Sequence, residues 1–354
     1  MSRFFSEKYS NLTPYTPGEQ PRDQRYIKLN TNESPFPPSP LAQKYAADES
    51  GKLELYSDPT CAPLVAKAAQ VLGVAEDEII FSNGSDEVLN FAFMAFCDEK
   101  HPAIFPDITY GFYKVFAKLN GIPYEEIPLK EDFTLDIQDY VNRKGTVFIA
   151  NPNAPTGLYL GLDQIEAIVA SDPDRTVVID EAYIDFGGES AIPLTKKYDN
   201  LLVVQTFSKS RSMAGARLGF AVGCRALIQD LNTIKYSINP YNVNRMTMAA
   251  GVGALEDGEY FRSNCRAIMD NRRWTVEALS TLGFSTLDSM TNFVFTKSDA
   301  ISGKALYGKL KEQGVLVRHF DTPRLTDYIR VSIGSRAQME AFIGAVKTIL
   351  EGTL

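Results

Sequence analysis

A lysine directly behind a run of apolar, β-branched residues is well placed to meet an aldehyde. Lys209 stands there, in Thr206-Phe207-Ser208-Lys209 after the run LLVVQ. At the carboxyl end of a buried strand, such an amine is sheltered enough to form a Schiff base with an aldehyde cofactor. Asp180 closes a second run, TVVI, and is followed by Glu181, Ala182 and Tyr183. An ionised carboxylate at that depth needs a cation, and a protonated pyridine nitrogen would supply one through a charge-assisted bond of about 1.5–3 kcal/mol. Tyr183 is spaced to donate to a phenolic oxygen on the same ring. In Asn83-Gly84-Ser85-Asp86-Glu87 a glycine permits close backbone approach, and the first N–H groups of the helix behind it can receive a phosphate. Arg217, in Ala214-Gly215-Ala216-Arg217, can return to that phosphate with a bidentate fork. Each piece alone has a plainer reading: a solvated loop lysine, a core tyrosine, an ordinary N-cap, a surface ion pair.

These groups need a frame, and the pattern around them supplies it. Helical and strand periodicities alternate from about residue 60. Helices are expected over 64–72, stopping at Gly73, and over 85–96, 110–119 and 162–170; strands are expected over 79–81, 103–105, 124–127, 146–150, 176–179 and 201–206. The last three strands are nearly unbroken apolar runs, as strands are when a mostly parallel sheet is covered on both faces. Ligand chemistry in such sheets sits at the carboxyl ends of the strands. The C-terminal third shows a long helix over 260–282, strands over 292–296, 315–317 and 328–333, a helix ending near Gly314 and a final helix, which together read as a smaller α+β domain. Before all of this, the proline-dense segment 34–40 resists helix and strand and is expected to be extended. The expected division is an arm over 1–40, a large domain over 41–255 and a small domain over 256–354.

The 354 residues suit two domains, and the composition is that of an ordinary globular chain. A net charge of −8 gives no basic field, so neither nucleic acid nor an anionic membrane surface is an expected partner. The opening MSRFFSEKYS lacks an apolar secretory core, and the most apolar stretch, 88–97, is about half a membrane span, so a cytoplasmic location is expected. Cys61, Cys97, Cys224 and Cys265 form no CxxC pair, and His101 and His319 are isolated, so no metal site is expected. Asn11-Leu12-Thr13 is formally a glycosylation sequon but is read as a loop.

Further stretches, in this order and spacing, complete a pattern: LNTNESPFPPSP (29–40), LYSDP (55–59), NGSDE (83–87), NPNAPTG (151–157), DEAY (180–183), FSKSRSMAGARLGF (207–220), PYNVN (240–244) and IRVSIG (329–334). Over nearly its whole length the chain resembles the fold-type-I aminotransferases and, within them, the histidinol-phosphate aminotransferases. The resemblance implies an α/β fold-type-I transferase and the cofactor pyridoxal 5′-phosphate. It implies that Lys209 binds the cofactor covalently and then acts as acid and base, that Asp180 pairs with the pyridine nitrogen and that Tyr183 contacts the phenolic oxygen. Gly84, Ser85, Asp86, Thr206, Ser208 and Arg217 are implied around the cofactor and its phosphate, with Tyr110 stacked on the ring. Tyr56 is implied to reach the phosphate from the other subunit of a homodimer. For substrate, the resemblance points to Arg330 and Arg318 as anion grips and to Tyr15, Asn32 and Asn242. The implied reaction moves an amino group reversibly between L-histidinol phosphate and 2-oxoglutarate, in histidine biosynthesis. There is one departure at the cofactor: where the family has asparagine before Pro155, this chain has Ala154, and Asn153 is the candidate substitute. Phe36-Pro37 also departs from the arm's more usual Tyr-Gly. The same motifs leave open an aromatic or broad-range aminotransferase and a lyase that decarboxylates threonine phosphate. A catalytically silent ligand-binding protein is the reading from another class, opposed by the presence of both Lys209 and Asp180.

Overall fold

The structure is a computed structural model describing residues 2–10, 12–141 and 143–352; Asn11 of the sequon lies outside the described residues. A short strand, β1 (Ile27–Lys28), precedes helices α1 (Pro40–Glu49) and α2 (Ala62–Leu72). The chain then alternates β2 (Ile79–Ser82), α3 (Ser85–Phe96), β3 (Ala103–Pro106), α4 (Phe112–Asn120), β4 (Tyr124–Ile127), α5 (Gln138–Val141) and β5 (Thr146–Ala150). It continues with α6 (Leu162–Ala170), β6 (Val177–Asp180), β7 (Leu201–Thr206), β8 (Gly219–Gly223), α7 (Arg225–Ile238) and α8 (Arg245–Glu256). Strands β2 to β8 form one sheet in the order β2-β8-β7-β6-β5-β3-β4, in which β8 alone runs antiparallel to its neighbours.

The unbroken apolar runs are explained by what lies on each face. Val147, Ile149, Val177, Ile179, Leu201 and Val203 enter one core with α2, α6 and α8. The alternate residues Phe148, Val178, Leu202 and Val204 enter a second core with α3, α4 and α7. A side-chain period of two thus leaves the middle of these strands apolar at successive positions, because both faces are covered.

The C-terminal part of the chain comprises α9 (Gly258–Thr281), β9 (Phe284–Thr286), β10 (Phe293–Ser298), α10 (Gly303–Glu312), β11 (Val315–Leu316), β12 (Arg318–His319), β13 (Ile329–Ser332) and α11 (Arg336–Glu351). Its antiparallel sheet runs β12-β13-β10-β9, and β11 pairs in parallel with β1. Part of the segment expected to be an arm is therefore joined to this C-terminal part. Leu29 is buried in its core, Ser332 N donates to Leu29 O at 2.9 Å, and Asn292 Nδ2 donates to Asn32 O at 2.9 Å. The proline-dense stretch ends where Ser39 caps α1, its Oγ accepting from Ala42 N at 3.1 Å. The helix placed over 110–119 begins at Phe112, leaving Tyr110 in the turn before it, and β8 was not foreseen as a strand, nor were α1, α5, α7, α8, β1, β9 and β12 foreseen. Among the described residues, no helix is long and apolar enough to cross a membrane.

Candidate active site

The parallel strands β2, β5, β6 and β7 end along one edge of the large sheet, and antiparallel β8 starts there. A cavity of about 340 Å³ opens at that edge, and Lys209, Asp180, Tyr183, Tyr110, Ser85 and Arg217 all line it. The topology brings together residues more than a hundred positions apart because each follows or precedes a strand at the same level.

Asp180 is the last residue of β6 and is 4% exposed. Its Oδ2 accepts from Tyr113 Oη at 3.0 Å and its Oδ1 from Ala182 N at 3.3 Å. Burial pushes its carboxyl up to about 7, although the Tyr113 hydroxyl, Ala182 N–H and Lys209 ammonium all pull the other way. A carboxylate so placed is short of a cation, and a pyridinium N–H is the kind of donor it lacks. Lys209 Nζ lies 3.4 Å from Thr31 O and 5.8 Å from the centroid of the Tyr183 ring, on the cavity wall. Tyr183 Oη accepts from Asn32 Nδ2 at 3.0 Å, which leaves its own proton free to donate. Asn32 sits in the left-handed region at φ 55°, and its Oδ1 accepts from Ser332 Oγ at 2.9 Å.

An anion cradle closes one end. Gly84 precedes α3 at φ 83° and brings no capping side chain, so the helix N-terminus faces the cavity through Ser85 and Asp86. A Cβ on Gly84 would stand 2.5 Å from Arg217 Nη2, and one on Gly219 would stand 2.2 Å from Ser85 N. Both glycines are needed to bring the guanidinium and the start of β8 against this turn. Arg217 Nη2 holds Asp86 Oδ2 at 2.9 Å, and Tyr110 Oη donates to Asp86 Oδ1 at 2.6 Å. The hydroxyls of Thr206 and Ser208 lie 3.0 Å apart on the same wall. Buried carboxylate, lysine side chain, hydroxyls, helix N-terminus and guanidinium form a set of groups that fits a phosphorylated pyridine aldehyde.

Arg330 and Arg318 stand directly opposite each other on β13 and β12. Arg330 Nη2 donates to Asn30 O at 3.2 Å, its Nε has no partner among the described residues, and burial lowers its pKa. Arg318 leans on Thr16 O and Pro17 O at 3.4 and 3.5 Å. Tyr15 stacks on Phe112 at 4.3 Å between ring centroids.

Besides Gly84, Tyr15, Asn32, Arg318 and Arg330, three further expected residues are not among those lining the cavity. Asn153, the candidate substitute for the missing asparagine, turns its side chain elsewhere. Its amide donates to Ile108 O and Thr156 Oγ1 and its carbonyl accepts from Thr109 Oγ1, while Ala154 lines the cavity. The cause is the one-residue offset, which turns the side chain away from the site. Asn242 Nδ2 is bonded to Glu87 Oε2 at 2.5 Å. Tyr56 is 79% exposed and stacks on Tyr241 at 4.6 Å, outside the cavity of its own chain. Sequence reasoning missed Tyr113, although its position three residues after Tyr110 was the available signal, and it missed Thr31 and Glu33 on the wall.

The family profile for aminotransferases of class I and II matches residues 24–346. The chain is 50% identical over 353 residues to a histidinol-phosphate aminotransferase of Brachyspira hyodysenteriae, covering 99% of this chain and 100% of that one. It is 47% identical over 348 residues to a histidinol-phosphate aminotransferase of Clostridium acetobutylicum, covering 98% and 99%. Among solved structures, the fold matches that of histidinol-phosphate aminotransferase from Sinorhizobium meliloti in complex with pyridoxal-5′-phosphate. That match has a TM-score of 0.85 and 24% identity, and covers 94% of this chain and 93% of the other.

Proposed function

The chain belongs to the aminotransferases of class I and II, and from that premise we propose that it is a pyridoxal-phosphate-dependent histidinol-phosphate aminotransferase. It moves an amino group reversibly between L-histidinol phosphate and 2-oxoglutarate, with glutamate as the second product or donor. One observation carries this reading: Lys209, Asp180, Ser85 and Arg217 line one cavity.

When bound, pyridoxal phosphate supplies an aldehyde to receive the amino group and an aromatic ring to take up the electron pair left at carbon. The protein's residues do the rest. Lys209 Nζ holds the cofactor at rest and then removes and returns the proton on the substrate carbon that bears the amine. Asp180 keeps the ring nitrogen protonated, and Tyr183, with Asn32 behind it, donates to the phenolic oxygen. Ser85, Ser208, Thr206 and Arg217 would hold the cofactor phosphate, and Tyr110 would pack against the cofactor. Arg330 and Arg318 take the distal anion, a phosphate in one half-reaction and a carboxylate in the other. Tyr15 closes the substrate side.

The exposed Tyr56 and its apolar neighbours support a homodimer in which Tyr56 serves the other subunit's cofactor. Cytoplasmic histidine biosynthesis is the setting that fits these substrates. The test is a single-turnover spectrum of cofactor-loaded protein given histidinol phosphate alone. Conversion to the amine form of the cofactor, reversed by 2-oxoglutarate and absent in Lys209→Ala, is expected. A cofactor band that ignores histidinol phosphate but responds to an aromatic amino acid would overturn the substrate assignment.

A further inference from the structure

Two carboxylates on the cavity wall are each held by a tyrosine from one short stretch of chain. Tyr110 Oη donates to Asp86 Oδ1, and Tyr113 Oη donates to Asp180 Oδ2. Their rings meet edge-on, with centroids 5.7 Å apart and an interplanar angle of 85°. Tyr113 is fully buried against Phe93, Phe105 and Phe148, a setting in which a phenylalanine would pack as well. A buried tyrosine hydroxyl in this fold does not find a partner automatically, since Tyr140 Oη has none among the described residues.

The Asp180 carboxylate is held from both sides, with Ala182 N on Oδ1 and Tyr113 Oη on Oδ2. Without the second contact the carboxyl group is free to rotate about its last bond, because one hydrogen bond fixes a point and two fix a plane. We propose that Tyr113 is a positioning residue, whose hydroxyl fixes the carboxylate plane of Asp180 so that its remaining lone pairs meet the ring nitrogen of pyridoxal phosphate in line. This rests on the proposed function, and it adds a residue that acts on the cofactor only through Asp180.

The test is a double-mutant cycle read by pyridoxal phosphate binding to the cofactor-free protein, with steady-state kinetics alongside. Tyr113→Phe is expected to weaken cofactor binding roughly tenfold, the effect of losing a hydrogen bond to a charged group. It should lower kcat while the KM for histidinol phosphate stays within about twofold. Tyr140→Phe, which removes a buried hydroxyl with no partner, is expected to change neither. In the Asp180→Asn background, Tyr113→Phe should add no more than about a twofold further loss, because the group it acts through has changed. If Tyr113→Phe alone does not fold but the double variant does, the coupling lies in the same pair and the proposal stands. A Tyr113→Phe protein that binds cofactor like the wild type, or losses that multiply in the double variant, would overturn it. Wild-type protein that takes up no pyridoxal phosphate would instead overturn the functional reading, and that outcome is visible before any variant is made.

Discussion

Asp180 shows how much of this site is an unmet electrostatic demand. Its folded pKa is raised from 3.8 to about 7, first by burial, so in the cofactor-free protein the folded state binds a proton more tightly than the unfolded chain does. The sign follows from linkage: stability falls as pH rises from the unfolded value through about 7, and above that the full cost of the bare carboxylate is present. Cofactor-free Asp180→Asn is therefore expected to be more stable than the wild type at about pH 8, by an amount on the order of a few kcal/mol, with the advantage shrinking toward pH 4. Thermal unfolding of both proteins across that range checks this; a constant difference would mean that Asp180 does not titrate there. Arg330 makes the opposite demand, a half-buried cation whose buried Nε has no partner among the described residues. Arg330→Ala is expected to cost about a hundredfold in kcat/KM for histidinol phosphate and for 2-oxoglutarate alike, since one guanidinium serves both anions in this reading. Paired substrate titrations decide it, and a loss confined to one substrate would show that the two anions are held differently. At this scale the sequence showed which residues carry charge but not which are paired. Lys209, Asp180 and Arg217 could be named from type and position. Asn153 could not be judged, because which way a side chain leaves the chain beside two prolines is not a matter of composition.

The elements were legible where burial writes itself into the pattern. The runs within Thr146–Ala150, Val177–Asp180 and Leu201–Thr206 are apolar over most of their length because each face meets its own core, and the glycine after α2 marks its end at φ 67°. Strand β8 escaped because GFAVG is short and bounded by glycines, and its strand character comes from pairing with β2 and β7, not from local propensity. One of those glycines explains why the element is written that way. At Gly219 a Cβ would press to 2.2 Å from Ser85 N, so β8 can lie against the anion cradle only without a side chain there. Gly219→Ala is expected to destabilise the fold by about 1–3 kcal/mol and to weaken cofactor binding by at least tenfold as the turn is pushed out of place. Gly344→Ala, inside α11 with nothing within 4 Å of the added carbon, is the matched control. It should raise stability by roughly 0.5–1 kcal/mol and leave binding alone. Thermal melts and cofactor titrations of the two variants separate a local clash from a general effect of losing a glycine.

At the scale of the whole molecule, a net charge of −8 belongs to a protein whose proposed ligands are all anions, so they are captured by local guanidiniums and a helix end, not by a long-range field. The surface nevertheless carries an apolar group without an evident use to a single chain. Leu53, Leu55, Tyr56, Tyr236, Ile238 and Tyr241 are all between 42% and 79% exposed, and the two segments are joined by the Tyr56–Tyr241 stack and by Arg245 Nη2 donating to Tyr56 O at 3.0 Å. Scattered exposed hydrophobics are ordinary, but a cluster held in place by its own contacts is what an interface between copies needs. If this face joins two subunits and presents Tyr56 to the opposite cofactor, assembly and cofactor retention must be linked. Leu55→Asp combined with Ile238→Asp should then shift the protein from dimer to monomer in sedimentation, and the monomer should bind pyridoxal phosphate more than about tenfold more weakly. Tyr56→Phe separates the two effects, since it removes one hydroxyl while leaving the apolar face intact. It is expected to keep the dimer and to lose only part of the affinity. A double-aspartate variant that sediments as a dimer would place the interface elsewhere, and a monomer with undiminished affinity would show that each cavity is complete within one chain.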